Sequence, residues 1–331
     1  MRVLVASDKF RGTVTASEVA RAVEVAATAK GWSTTSLPLA DGGEGLLDVL
    51  GGPNRKSWVA GPLGDPVEAS WRYDRPSRTA VIEMAKASGL ALVGVDNNDP
   101  IAASTTGTGE LVFNAVELGA RRIVVGVGGS ATTDGGFGAI RAMYPIQRLR
   151  GIEVIVACDV RTNFLDAPRI FGTQKGASAA QVKLLDRRLE RLAQVYLEEY
   201  DVDVTTMVRG GAAGGLGGGL AAVGARLIDG FDFVAEELDL YGAIESVDLV
   251  ITGEGFLDEQ SFDGKVVGGV ASYASDVGVP VVAIAGRVFD GVGDRIAAYS
   301  LVDLCGETRA VDDTMSCISE VATLVLNDFE G

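Results

Sequence analysis

Apolar residues follow two rhythms along this chain. Short runs rich in β-branched residues read as buried strands: Val3 to Ala6, Val81 to Met84, Ile123 to Val127, Val154 to Ala157, Leu249 to Thr252 and Val281 to Ala285. Amphipathic stretches separate them, and that alternation predicts a parallel α/β architecture. Helices are expected at about Glu44 to Leu50, Gly109 to Leu118, Ala179 to Tyr200, Leu216 to Leu227, Val266 to Asp276 and Ser316 to Phe329. An earlier one opens at Thr15-Ala16-Ser17-Glu18, a capping box, and carries Val19, Ala22, Val23 and Ala26 along one face.

Five of the strand runs end in Asp or Gly with polar company: Ser7-Asp8-Lys9, Gly126 to Asp134, Cys158-Asp159, Gly253-Glu254-Gly255 and Gly286-Arg287. Open parallel sheets bind ligands beyond their carboxyl ends, so the agreement of the five points to a site there. The richest is Arg122 to Gly136, RIVVGVGGSATTDGG, where a strand delivers Gly128, Gly129, Ser130, Asp134, Gly135 and Gly136 to a loop whose bare amides can face an anion. A short echo links Gly43-Glu44-Gly45 to Gly253-Glu254-Gly255, each followed by an apolar residue, Leu and Asp. It reads either as reuse of a helix-start loop or as two loops facing one cleft. The block Gly210 to Gly219 reads as a packing point or a phosphate nest.

Composition narrows the chemistry. The 331 residues are 47% hydrophobic, enough for two domains rather than one small core. The 45 acidic residues against 29 basic ones give a net charge of −16, which repels nucleic acid and anionic membranes, so neither is expected as a partner. The amino terminus has no signal-like apolar region and no later segment approaches a membrane span, which reads as cytoplasmic. Cys158, Cys305 and Cys317 share no metal or redox spacing and are expected reduced and structural. The chain has no histidine, which excludes serine–histidine hydrolysis and histidine–zinc sites. Phosphoryl transfer tolerates that loss, because positioning, charge neutralisation and a metal ion supply most of the catalysis. No P-loop is present, since Val266 follows Gly264-Lys265 where a hydroxyl belongs, and the protein-kinase HRD motif is impossible without histidine.

Several motifs in one order carry a resemblance. They are Ser7-Asp8-Lys9-Phe10-Arg11-Gly12, Leu39 to Gly45, Ala87-Ser88-Gly89-Leu90, Thr105 to Leu111, Gly128 to Gly136, Ala157 to Val160, Gln174 to Ala177, Gly211 to Gly217 and Thr252 to Gly255. The chain resembles the bacterial glycerate kinases that are neither P-loop nor actin-like, nearly end to end. The resemblance implies ATP- and Mg2+-dependent phosphorylation of a hydroxyl of D-glycerate, 2-phosphoglycerate being the favoured product, with a small hydroxy acid as partner and a homodimer left open. It implies two unlike three-layer α/β domains, the first discontinuous and Rossmann/flavodoxin-like with a largely parallel sheet. The expected division is 1–73 plus 265–331 against 74–264, with the active site in the cleft between them. Between Asp134 and Asp159 the chain lacks a longer insertion typical of that family, Val160 to Gln174 is short, and Phe256 stands in place of a customary Arg. A non-catalytic or substrate-shifted homologue that binds a nucleotide or sugar acid is therefore the alternative.

Under that resemblance the residues take candidate roles. Asp8, Lys9, Arg11, Asp41 and Asp134 are the catalytic candidates, as proton acceptors, metal holders or charge balancers. Thr106, Gly107, Thr108, Gly109, Gly128, Gly129, Ser130, Gly135, Gly136, Lys175 and Gly253 are expected at the nucleotide, through amides, helix ends and an ammonium. Asp159, Glu254 and Asp258 are the expected magnesium ligands, because hard cations take carboxylate oxygens. A carboxylate beside a glycine turn can equally cap a helix, and a lysine such as Lys175 can be a solvated surface charge.

Overall fold

A computed structural model describes residues 1–10, 12–262 and 264–330 of the chain. Arg11, one of the catalytic candidates, lies outside the described residues. Eleven strands occur among the described residues: β1 Arg2–Val5, β2 Ser33–Ser36, β3 Arg55–Ala60, β4 Pro66–Asp74, β5 Thr79–Glu83, β6 Arg122–Gly126, β7 Glu153–Cys158, β8 Arg226–Asp229, β9 Leu249–Leu257, β10 Val281–Val288 and β11 Ala297–Ser300. They form two sheets, one in each of two compact units, Met1–Asp41 with Phe231–Gly331, and Gly42–Gly230.

The first unit holds a five-stranded sheet in the order β2-β1-β9-β10-β11, with every neighbouring pair parallel. Counted within the unit this is the 2-1-3-4-5 order of flavodoxin-like sheets, whose topological switch point lies between β1 and β9. Strand β10 sends Ile284 to one core and Ala283 and Ala285 to another, the period of two that covers both faces. On the first face Val19, Ala22, Val23 and Ala26 of the helix Ala16–Ala29 pack with Ile318, Val321 and Val325 of the helix Thr314–Glu330. The Thr15 and Glu18 side chains close the capping box at that first helix, as the sequence predicts.

The second unit carries a six-stranded mixed sheet, β3-β4-β5-β6-β7-β8. The first three strands pair antiparallel and the last four parallel. Its core gathers Trp71, Ile82, Ile123, Val125, Val156, Phe164 and Tyr196.

The boundaries between units differ from those expected at Tyr73 and Lys265. β3 pairs with β4 and β4 with β5, so both belong to the second sheet, while β9 pairs with both β1 and β10 and belongs to the first. The backbone is left-handed at Ala213, Gly214 and Gly215, so the helix expected over Leu216 to Leu227 starts where expected but ends at Ala222, and Leu227 falls in the edge strand β8 beside β7. The chain turns at Gly224, whose φ of +100° ends the helical run. All three cysteines are free; burial pushes the Cys158 thiol up to about 12, and Cys305 and Cys317 lie in hydrogen-bonding contact.

Candidate active site

In the first unit the backbone itself delivers the chemistry to the switch point. Strand β1 runs on past its end, with Ala6 N donating to Ile251 O and Asp8 N to Gly253 O, both at 2.9 Å. On its other side Leu39 N donates to Ser7 O at 2.9 Å, which brings the chain up to Asp41. Gly253 is glycine for a steric reason: a Cβ there would overlap the Ile284 carbonyl of the neighbouring strand.

Three carboxylates therefore interact where the parallel strands part. Burial, with Asp41 next and Glu254 adding to it, pushes the Asp8 carboxyl up to about 7, against the pull of the Lys9 ammonium and of the Lys9 amide, which donates to Oδ1 at 2.7 Å. Burial likewise raises Glu254, helped by Asp258 and Asp41 and opposed by Ser261 and Lys265. Glu254 Oε1, Ser7 Oγ and Thr252 Oγ1 are buried without a hydrogen-bond partner. Unspent polar capacity of that kind beside mutually repelling acids is what a bound ligand or cation would satisfy.

The magnesium set expected from the sequence is divided between the two units. Asp159 follows β7 in the second unit, while Glu254 and Asp258 belong to the first. Asp258 Oδ1 accepts from Ser261 N at 3.2 Å, a cap on the turn Glu259–Phe262. Among the described residues no three acidic or thiol side chains converge closely enough to hold an ion by themselves.

The second unit builds a different kind of site from the loop after β6. Gly128 and Gly129 are half-buried and exposed, Ser130 is 9% exposed, and the loop then dives inward, with Thr132 and Thr133 fully buried. The loop 42–45 lies directly against it, since a Cβ on Gly128 would come within 2.6 Å of Gly43 Cα. Asp134 ties the base of the loop together. Its Oδ2 accepts from Thr105 N and Thr105 Oγ1, both at 2.9 Å, and from Gly138 N at 3.1 Å, while Oδ1 accepts from Gly136 N at 3.1 Å. Those donors take up the lone pairs of a carboxylate, so the geometry makes Asp134 a brace for two helix starts.

Its neighbours are equally committed. A Cβ on Gly107 would overlap the Ala60 carbonyl and one on Gly109 the Ala139 carbonyl, and the Thr108 hydroxyl is 2.8 Å from Ser88 Oγ. Of the four residues expected to cradle phosphate there, only Thr106 is half-exposed. Gly135 and Gly136 are buried, the Gly135 carbonyl accepts from Tyr196 Oη at 2.9 Å, and Gly135 N donates to Gly214 O at 3.0 Å. The glycine block Gly210 to Gly219 resolves as packing: Gly215 meets Gly135 Cα, and Gly219 meets Gly136 Cα and the Gly135 carbonyl.

Lys175 is no surface charge. It is 2% exposed, and its Nζ donates to Ser130 Oγ at 2.7 Å and Thr132 O at 2.6 Å. Burial lowers its pKa to about 7, opposed by Asp134. The two GEG segments adopt different conformations. Gly45 is left-handed and starts the helix Leu46–Val49, whereas Gly253 to Gly255 lie inside β9.

Sequence reasoning missed several partners. Glu83, 3% exposed, accepts from Gly45 N and Leu47 N, both at 2.9 Å, and so holds the first GEG turn. The apolar run Val81 to Met84 reads straight through it. Thr105 and Ser7 likewise sit inside motifs without any signal that they are buried. A cavity of about 590 Å3 in this unit, bounded by Tyr144, Leu149, Ile152, Glu199, Tyr200 and Val223, contains none of the expected site residues.

Comparison with known proteins supplies the context. The model of the glycerate kinase family matches residues 3–144 and 145–328. The chain is 40% identical to glycerate 2-kinase of Escherichia coli, over 88% of this chain and 87% of that protein. It is 38% identical to a glycerate kinase of Bacillus subtilis, over 87% of this chain and 85% of that one. A solved crystal structure, provisionally assigned as glycerate kinase 2 from Salmonella typhimurium LT2, superposes with a TM-score of 0.84 at 33% identity, covering 100% of this chain and 98% of that one.

Proposed function

We propose, starting from the fact that this chain belongs to the glycerate kinase family, that it transfers the terminal phosphoryl group of ATP, with Mg2+, to the 2-hydroxyl of D-glycerate. Phosphorylation of glycerate comes with the family; the 2-position follows the E. coli relative, and ATP follows from the phosphoryl chemistry to which the histidine-free composition is suited.

The observation that carries the mechanism is the Asp8 carboxyl, held near 7 by burial and by Asp41 and Glu254. A general base works best when its pKa lies near the working pH, and burial, the largest cause, moves Asp8 toward that condition. It takes the proton from the glycerate hydroxyl as that oxygen attacks the γ-phosphorus in line, the O–P bond forms, and ADP leaves. Lys9, next to it, balances the developing charge.

Mg2+ suits the residues present. It ordinarily takes one or two carboxylates and completes its shell with water and phosphate oxygens, so a three-carboxylate cage is not required. Glu254, with a buried and unpartnered Oε1, and Asp41 are the residues that would hold it. Bound there, the ion would neutralise charge on the phosphate oxygens. The Gly128 to Ser130 loop of the second unit offers amides and a hydroxyl to an anionic oxygen.

The test is ADP formation that depends on D-glycerate, with the product resolved as 2- or 3-phosphoglycerate by phosphorus NMR. Formation of 3-phosphoglycerate alone would overturn the regiochemistry. Binding of both ligands without ADP formation would favour a non-catalytic homologue.

A further inference from the structure

We infer that Lys175 is a positioning residue acting through Ser130: by donating to the Ser130 hydroxyl oxygen it leaves that hydroxyl's own proton free to point away from the lysine, as a donor to an anionic oxygen of the bound substrate. The inference rests on the kinase reading above, which supplies two candidate owners of that oxygen, the carboxylate of glycerate and a phosphate of ATP.

An ammonium has three donors and no acceptor. At 2.7 Å from Ser130 Oγ and 2.6 Å from Thr132 O, Lys175 must therefore donate in both contacts, and Ser130 must accept. A serine hydroxyl that accepts retains one proton to give. Lys175 is the only side-chain hydrogen-bond partner of Ser130 among the described residues, and it cannot receive that proton. Ser130 lies where the loop passes from exposed Gly129 to fully buried Thr132. A donor directed outward from there meets whatever the loop binds.

Two further observations agree. Thr132 Oγ1 and Thr133 Oγ1, in the same loop, are buried and have no hydrogen-bond partner. Lys175 is a buried cation with two neutral oxygens as its hydrogen-bond partners, and buried charges are ordinarily paired. Asp134 is the charged group that faces it, and its oxygens are already taken by Thr105, Gly136 and Gly138. The Phe171 ring, 6.0 Å away, covers another side. An anion at Ser130 would complete the arrangement, with the lysine's charge transmitted through the hydroxyl rather than by contact.

A pH dependence follows. Below the lysine's pKa, Nζ is an ammonium and the Ser130 proton points outward. Above it, the neutral amine offers a lone pair, Ser130 donates inward, and both the charge and the donor are lost. Burial sets that change near 7 in the empty loop, and a bound anion moves it upward.

The experiment is a double-mutant cycle on the full chain. Affinities for D-glycerate and for MgATP are measured separately by calorimetry at pH 6 and pH 9, for wild type, Ser130→Ala, Lys175→Met, the double variant and Lys175→Arg, with melting curves to confirm folding. At pH 6, Ser130→Ala is expected to bind one ligand about tenfold more weakly, the loss of one charge-assisted hydrogen bond. The identity of that ligand says whether the oxygen belongs to carboxylate or phosphate. The double variant is expected to bind no more weakly than Lys175→Met, because the lysine acts only through the serine. The ratio of wild-type to Ser130→Ala affinity should fall toward one at pH 9, and Lys175→Arg, which keeps its charge, should hold that ratio at both pH values. Equal affinities of wild type and Ser130→Ala at pH 6, or additive losses in the double variant, overturn the inference. If wild type binds neither ligand, the kinase reading fails and this inference falls with it; if wild type binds both and the cycle is additive, only this inference fails.

Discussion

At the scale of single residues, the site is made of groups that are poorly placed for stability. Asp8 binds a proton more tightly in the native state than when unfolded, since its pKa rises from 3.8 to about 7. Between those values the native state holds the extra proton, so folding stability falls as pH rises through about 4 to 7 and stays lower above it. Asp8→Asn should therefore melt at a higher temperature than wild type at pH 8, and the difference should vanish near pH 4, as followed by circular dichroism. The same variant should lose about 10²- to 10⁴-fold in kcat. An Asn variant that kept its activity would remove Asp8 from the mechanism. Asp8 and Glu254 were legible in the sequence because each is an acid closing a β-branched run. The surroundings of Lys175 were not, because burial arises from contacts with Ser130 and Thr132, more than 40 positions away. Glu83 escaped for the opposite reason, being an acid inside an apolar run.

Elements that bury a face on both sides were easy to read, and elements at an edge were not. The helix Ala179–Tyr200 lies where its apolar spacing puts it, with Leu185, Leu189, Leu192 and Tyr196 inward, and a Ser178–Gln181 capping box fixes its start. β2, with the sequence STTS, gave no signal because it pairs on one side only and has exposed residues. β8 was hidden behind a helical-looking run. The glycine block is the element on which the loop rests. A Cβ on Gly214 would overlap the Thr132 carbonyl, and its φ of +70° already disfavours a side chain. Gly214→Ala should cost about 1–3 kcal/mol or more in chemical denaturation and weaken ligand binding, whereas Gly293→Ala, with open space around it, should fall within about 0.5 kcal/mol of wild type. Equal effects of the two substitutions would show that the block does not support the loop.

At the scale of the molecule, the two units have separate sheets and separate cores. The second is continuous in sequence, and its core draws only on residues between Val59 and Leu227. A fragment spanning Gly42–Gly230 should therefore unfold in one cooperative transition of its own, and a fragment lacking cooperativity would show that the unit depends on the rest of the chain. The division was half visible from sequence, because the discontinuous first unit follows from the return of strand–helix alternation near the carboxyl end. The boundaries were not, because they depend on which sheet β3, β4 and β9 join. Gly42 and Gly230, the first and last residues of the second unit, press together so closely that a Cβ on Gly42 would stand 2.8 Å from Gly230 Cα. A unit whose two ends touch can be lengthened or trimmed in its interior loops without moving the points at which the chain enters and leaves it.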